Sequence, residues 1–277
     1  MSVEVRLGKP RVSWTVLPLI AAGVAFGLGI ALRSKPLRLG GAAASVVLIV
    51  GVVMLVLARS RRFGADNSAA ISALGQGRYD EARTVFTRWA GRGPGTVAAN
   101  ARHNLGWTLL LEGRVGDAVT VLEDAARHHQ HALRALSLLP TTRIDAALCH
   151  ALLGQLEPAE AWIAMARDPA AGIRVASFAG MMALTQAVLT CRRGHAAQAA
   201  AGLAQARAEH EPTMTGDTLR MMRVVHAFCA GADSPREQGV VEQILGDLRP
   251  RHPREFAFLG GAWPDMHAFL AAHGLGA

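Results

Sequence analysis

Lysine is absent after residue 62 of this 277-residue chain, and acid is almost absent before it. Residues 1–62 carry nine basic side chains (Arg6, Lys9, Arg11, Arg33, Lys35, Arg38, Arg59, Arg61 and Arg62) against Glu4 alone, whereas residues 63–277 hold 20 arginines and 20 acids. The formal charge of +8 therefore sits wholly in the N-terminal part, and the remainder is neutral. A basic groove that tracks phosphates needs its cations spread over the folded domain, so DNA and RNA are excluded as expected partners. Aromatic residues make up 5% of the chain, and Tyr79 is its single tyrosine. Three cysteines, Cys149, Cys191 and Cys229, are odd in number and lack CxxC spacing. They are expected to be small buried hydrophobes in a reducing compartment. No Gly-x-Ser-x-Gly, HExxH or Walker loop is present, and "GRGPG" at 91–95 lacks the lysine of a phosphate loop. "HHQH" (His128, His129, His131) places neighbours on different sides of a helix, so it reads as polar groups at a helix end and not as a zinc site. No catalytic residue, metal or cofactor is expected. The arginine-, alanine- and leucine-rich composition is that of a GC-rich bacterial coding sequence.

What the N-terminal part does have is two uncharged apolar runs, Val12–Leu32 and Leu39–Ala58. Crossing a hydrocarbon core of about 30 Å takes roughly 20 apolar residues, and both runs qualify. A cleaved signal peptide would also start basic, but the first run is longer than the usual apolar stretch and meets "RSKP" with no small-x-small cleavage site. Pro36 blocks a continuous helix, so the expectation is an antiparallel transmembrane hairpin. Gly23 and Gly27 in one span, and Gly40, Gly41, Ala44 and Gly51 in the other, would allow close helix approach. Both flanks of a hairpin lie on one side, and they hold more basic residues than the connector. The positive-inside rule then favours the cytoplasm for everything after residue 59.

From Asn67 onward apolar residues recur at helical period, with no alternating β-branched run. One sentence repeats: "ALGQGRYDEARTVFTRWA", "LLLEGRVGDAVTVLEDAA", "ALLGQLEPAEAWIAMARD", "LTCRRGHAAQAAAGLAQAR". Its glycines are Gly77, Gly113, Gly154 and Gly194, spaced 36, 41 and 40 apart, with a fainter copy at Gly231. Five positions after each comes an alanine (Ala82, Ala118, Ala159, Ala199), and seven further on Trp89, Ala125, Ala166 or Ala206. Glycine closes a first helix in the left-handed conformation, and alanine lets the second approach closely. Asp80, Glu81, Asp117 and Glu157 would face the positive end of that second helix.

At these residues the chain resembles the tetratricopeptide repeat family. "NLGWTLLLEGRVGDAVTVLEDAA" carries Leu105–Gly106, Leu109, Gly113, Ala118, Leu122 and Ala125 where that family's pattern wants them. The first unit matches through Tyr79, Ala82, Phe86 and Pro94, and the third and fourth lack the Leu–Gly pair. The predicted fold is all-α, a two-helix transmembrane hairpin followed by an α-solenoid of four to five helical hairpins. Its parts are a basic flank 1–11, spans 12–32 and 39–58, a basic juxtamembrane linker 59–65, repeats over 66–248 and capping helices over 249–277.

The resemblance implies a non-enzymatic protein-binding scaffold whose first helices line a concave surface. On the second unit that surface would present Asn100, His103, Asn104 and Trp107. Elsewhere Ile144, Leu148, Leu184 and Val188 would form an apolar groove for an amphipathic helix or an extended peptide. The family's lysine clamp for C-terminal carboxylates is ruled out, because the domain has no lysine. A chaperone or assembly factor facing the cell envelope is the alternative reading.

Overall fold

The computed structural model describes residues 35–93, 95–130, 138–168, 174–232 and 238–276, with side chains from Val47 onward except those of Val52 and Gln238. All regular structure among the described residues is helical. In chain order the elements are α1 (Lys35–Gly75), α2 (Tyr79–Ala90), α3 (Thr96–Leu111), α4 (Val115–Gln130), α5 (Leu139–Leu152) and α6 (Leu156–Arg167). They continue with α7 (Phe178–Arg192), α8 (Ala196–His210), α9 (Gly216–Gly231), α10 (Gln238–Leu245), α11 (Ala257–Gly260) and α12 (Pro264–Ala272).

The chain divides into two compact units, Met1–Ser68 and Ala69–Ala277. In the first, α1 is described from Lys35. The helix runs unbroken through 59–65, the stretch expected as a linker. That stretch has no proline, and a single interior glycine, Gly64, does not end a helix. Val47, Ile49, Val50, Val53, Met54, Leu55, Val56 and Leu57 are all about half exposed or more. Among the described residues no helix is long and apolar enough to cross a membrane. The expected first span lies outside the described residues, and the side chains of the second are described only from Val47.

The second unit is a series of helical hairpins. The last turns of α1 pair with α2, and α3–α4, α5–α6, α7–α8 and α9–α10 follow. Four corners share one hydrogen-bond pattern. The glycine N–H donates to the carbonyl three residues back, and the next N–H donates five back: Arg78 to Ala73 at 2.9 Å, Arg114 to Leu109 at 2.9 Å, Gln155 to His150 at 2.9 Å and His195 to Thr190 at 3.2 Å. This is the Schellman motif, which needs a left-handed residue at its turn. Gly77, Gly113, Gly154 and Gly194 supply it, with φ of +74°, +87°, +75° and +84°. The expected alanines follow, and Ala82, Ala118, Ala159 and Ala199 are buried. Gly231 does not join the series, because it is the last helical residue of α9 with no left-handed backbone.

Helix α5 shows how the layers sort. Its sequence "LPTTRIDAALCHAL" has no wide polar face, and nearly every residue of it is buried. The second helices carry one apolar stripe and a solvated face, as α2 does with Ala82, Phe86 and Trp89 inside. Cys149, Cys191 and Cys229 are buried free thiols near the ends of α5, α7 and α9.

The C-terminal segment does more than cap the last repeat. Trp263 and Phe269 meet Phe228 of α9 edge-on, at centroid distances of 4.9 and 5.5 Å. Upstream of them, residues 249–258 run from α9 back to the first corner. Arg220 of α9 grips Glu255 through two hydrogen bonds of 2.6 and 2.8 Å. His252 stands edge-on to Tyr79 at 5.6 Å, and Arg254 lies over the same ring at 5.0 Å. Phe256 and Phe258 are 1% exposed and belong to the main apolar cluster.

Candidate functional site

The first helices and the returning segment line a half-open cavity of about 250 Å³. Partly exposed Asn104, Trp107 and Leu111 of α3 form part of its rim, with Ile71 from the end of α1. Its floor comes from buried Asp145 of α5, Met181 of α7 and Met221 of α9. Residues 251–258 close another side through Arg251, His252, Glu255, Phe256 and Phe258.

Of the residues expected on the concave face, the structure brings His103, Asn104 and Trp107 together at this cavity. Asn100 does not line it, and its Oδ1 is buried without a hydrogen-bond partner. Leu148, Leu184 and Val188 are 0% exposed, as is Ile144. They share one apolar cluster with Phe256, Phe258 and Trp263, so the expected apolar groove is not an open surface. The physical reason is that an uncovered strip of large apolar side chains is costly in water, and the chain's own C-terminal residues extend that core.

Burial sets the electrostatics of the floor. The Thr142 hydroxyl donates back to the Leu138 carbonyl at 3.0 Å, as threonines in helices do. Its oxygen also lies within hydrogen-bond distance of His103 Nδ1, at 3.1 Å. Asp145 Oδ2 is 3.6 Å from the same nitrogen, too far for a hydrogen bond. Burial, with His129 adding its charge, pushes His103 down to about 3. Burial alone pushes the Asp145 carboxyl up to about 8. Both groups are therefore held in their neutral forms at pH 7.

The opposite wall is ionic. Glu255 accepts from Arg220, from the Arg251 backbone N–H at 2.5 Å and from Arg251 Nε at 2.9 Å. Burial opposes its ionisation, but the hydrogen bonds from Arg220 and Arg251 outweigh that and hold its pKa below the ordinary value. Arg251 also reaches Asp217 of α9 at 2.5 Å. Tyr79, pushed up to about 12 mainly by burial, keeps its hydroxyl proton.

Asp145, Thr141 and the 251–258 wall were not foreseen. Asp145 had a signal, as the lone acid in the apolar stretch "IDAALCH". The wall had none, since its position depends on contacts across more than half the chain. The histidine cluster proved partly interior: His129 is 1% exposed and pushed down to about 4 by burial, while half-buried His128 approaches the Asp124 carbonyl at 2.9 Å. His131 lies outside the described residues. Among the described residues no group of three or more metal-ligating side chains converges.

A tetratricopeptide repeat family model matches residues 65–87 and 99–124, the first hairpin and most of the second. No curated protein and no solved structure matches the chain. Over those residues the chain is similar to tetratricopeptide repeats, which suggest a protein-interaction scaffold.

Proposed function

We propose that this chain is a membrane-anchored helical-repeat scaffold, without catalytic function, that binds a protein partner at the cytoplasmic face through the cavity rimmed by Asn104 and Trp107. The observation that carries the reading is that cavity, set on the inner helices of a repeat whose first two units match the tetratricopeptide pattern. Trp107 at its rim is a rigid apolar anchor of the kind that dominates binding energy at protein interfaces. Two uncharged runs of about membrane-spanning length and the basic residues around them support the anchor. The exposed apolar side chains of α1 from Val47 to Leu57 are also in keeping with it.

A photo-crosslinking residue at position 107 of the full chain, in native membranes, tests the binding role. A discrete adduct from position 107, not formed from exposed Arg78 at the edge of the repeats, is the expected result. No adduct, or the same adducts from both positions, would remove it. A reporter fused after Ala277 tests the compartment. Activity on the outer side would replace the cytoplasmic reading with that of an envelope-facing chaperone or assembly factor.

A further inference from the structure

Among the described residues, every acid or arginine lining the cavity except Asp145 is ion-paired. Arg251 is held by Asp217 and Glu255, and Glu255 is held in addition by Arg220. Asp145 has only the neutral His103 ring, beyond hydrogen-bond range, although its side chain is 4% exposed. Beside it on α5, Thr141 also lines the cavity, and its Oγ1 is buried with no hydrogen-bond partner. Two polar groups left unsatisfied at one end of a cavity are costly, unless something that enters it satisfies them. Apolar and aromatic side chains share the lining with the ion-paired wall: Trp107, Met181, Met221, Phe256 and Phe258. A volume of about 250 Å³ is smaller than the ~300 Å³ at which pockets for drug-sized ligands begin, so the occupant is one long side chain or its equivalent.

We infer that the cavity is a subsite for an organic cation on an apolar stem, the side chain of a lysine or arginine from the protein partner. The stem lies against Trp107 and the two methionines, and the ammonium or guanidinium donates to Asp145 and Thr141. Once ionised, the carboxyl at the floor repels an anion and finds no counter-charge on a neutral alcohol, whereas a cation supplies one. Aromatic faces beside the path add cation–π attraction. The inference rests on the proposed scaffold role, and it names the chemistry which that role recognises.

Binding would also draw on protonation. The carboxyl, held neutral by burial in the empty cavity, gives up its proton as the cation arrives. The other titratable groups lining the cavity are Tyr79, His103, Asp217, Arg251, His252 and Glu255. Tyr79 keeps its proton to about 12, His103 stays neutral above about 3, burial lowers His252, and Glu255 and Arg251 are ion-paired. Asp145 is thus the group whose charge changes across neutral and mildly alkaline pH.

The test uses the full chain in detergent and ligand-observed NMR with n-butylammonium, n-propylguanidinium and n-butanol as probes. The two cations are expected to saturate a site, with affinity rising by about tenfold between roughly pH 6 and 8 as the carboxyl ionises. Asp145→Asn should weaken the cations about tenfold and remove the pH dependence, since it keeps shape and deletes charge. Thr141→Val is the second variant, expected to weaken both cations severalfold. The inference falls if butanol binds as well as butylammonium, if neither cation binds, or if affinity in the unmodified chain ignores pH. Loss of cation binding with the adduct from position 107 intact would overturn this subsite and leave the scaffold role standing.

Discussion

Gly77 and Gly113 hold the same left-handed backbone at successive corners, but only Gly77 has a ring above it. A Cβ there would come within 2.8 Å of His252 Cγ, whereas one on Gly113 would meet nothing within 4 Å. Gly113→Ala should therefore cost only the left-handed strain of an L-residue, about 1–2 kcal/mol. Gly77→Ala should cost that and more, because the new methyl pushes His252 and the segment that carries it off Tyr79. Equilibrium urea unfolding of both variants checks this, and equal losses would mean that the His252 contact contributes nothing. The pair also shows what one residue means in context. The turn glycine was legible from its spacing, but the role of Gly77 as the seat for a distant histidine was not.

At the scale of elements, what was legible is what is local. The four corners depend on a glycine and an alanine five residues on, with a first-turn acid in the first three, all within one hairpin, and the structure repeats them with one hydrogen-bond pattern. The pairing of α3 with α4 likewise depends on Gly106, where a Cβ would lie 2.6 Å from Cγ of Leu122, a fully buried side chain. Gly106→Ala should destabilise by about 1–3 kcal/mol through overpacking. Gly202, inside α8 with nothing within 4 Å of an added Cβ, should show the opposite sign. Gly202→Ala is expected to stabilise by about 0.5–1 kcal/mol from backbone entropy alone. Thermal unfolding of the two variants side by side reads the difference. Burial was less legible than pairing. Leu148, Leu184 and Val188 occupy positions that an open solenoid would leave on its concave face, and here they lie in the core shared with residues near position 260. No local periodicity records a cover that arrives from so far downstream. For the same reason the concave residues split, with His103, Asn104 and Trp107 at the cavity and the apolar three inside.

At the scale of the repeat unit, residues 249–258 join its first hairpin to its last, so a change at one end should be felt at the other. The joint is Glu255, which is 7% exposed and bound by Arg220 of α9 and by Arg251 of its own segment, three residues from the His252 that meets Tyr79. Its pKa is lowered in the folded chain. The stability it contributes is then complete above the unfolded glutamate value of about 4.3, and it is lost as pH falls through the lower folded value. Glu255→Gln deletes the charge and leaves Arg220 poorly compensated, at a cost of roughly 2–3 kcal/mol near neutral pH. The variant should lose that part of the acid dependence of unfolding as well. Hydrogen exchange decides whether the segment couples the two ends. If it does, amides of Tyr79–Ala82 at the first corner exchange faster in Glu255→Gln together with those of α9, although Glu255 bonds only to α9 and its own segment. Faster exchange in α9 alone would mean that the C-terminal segment serves the last repeat and leaves the first to hold itself.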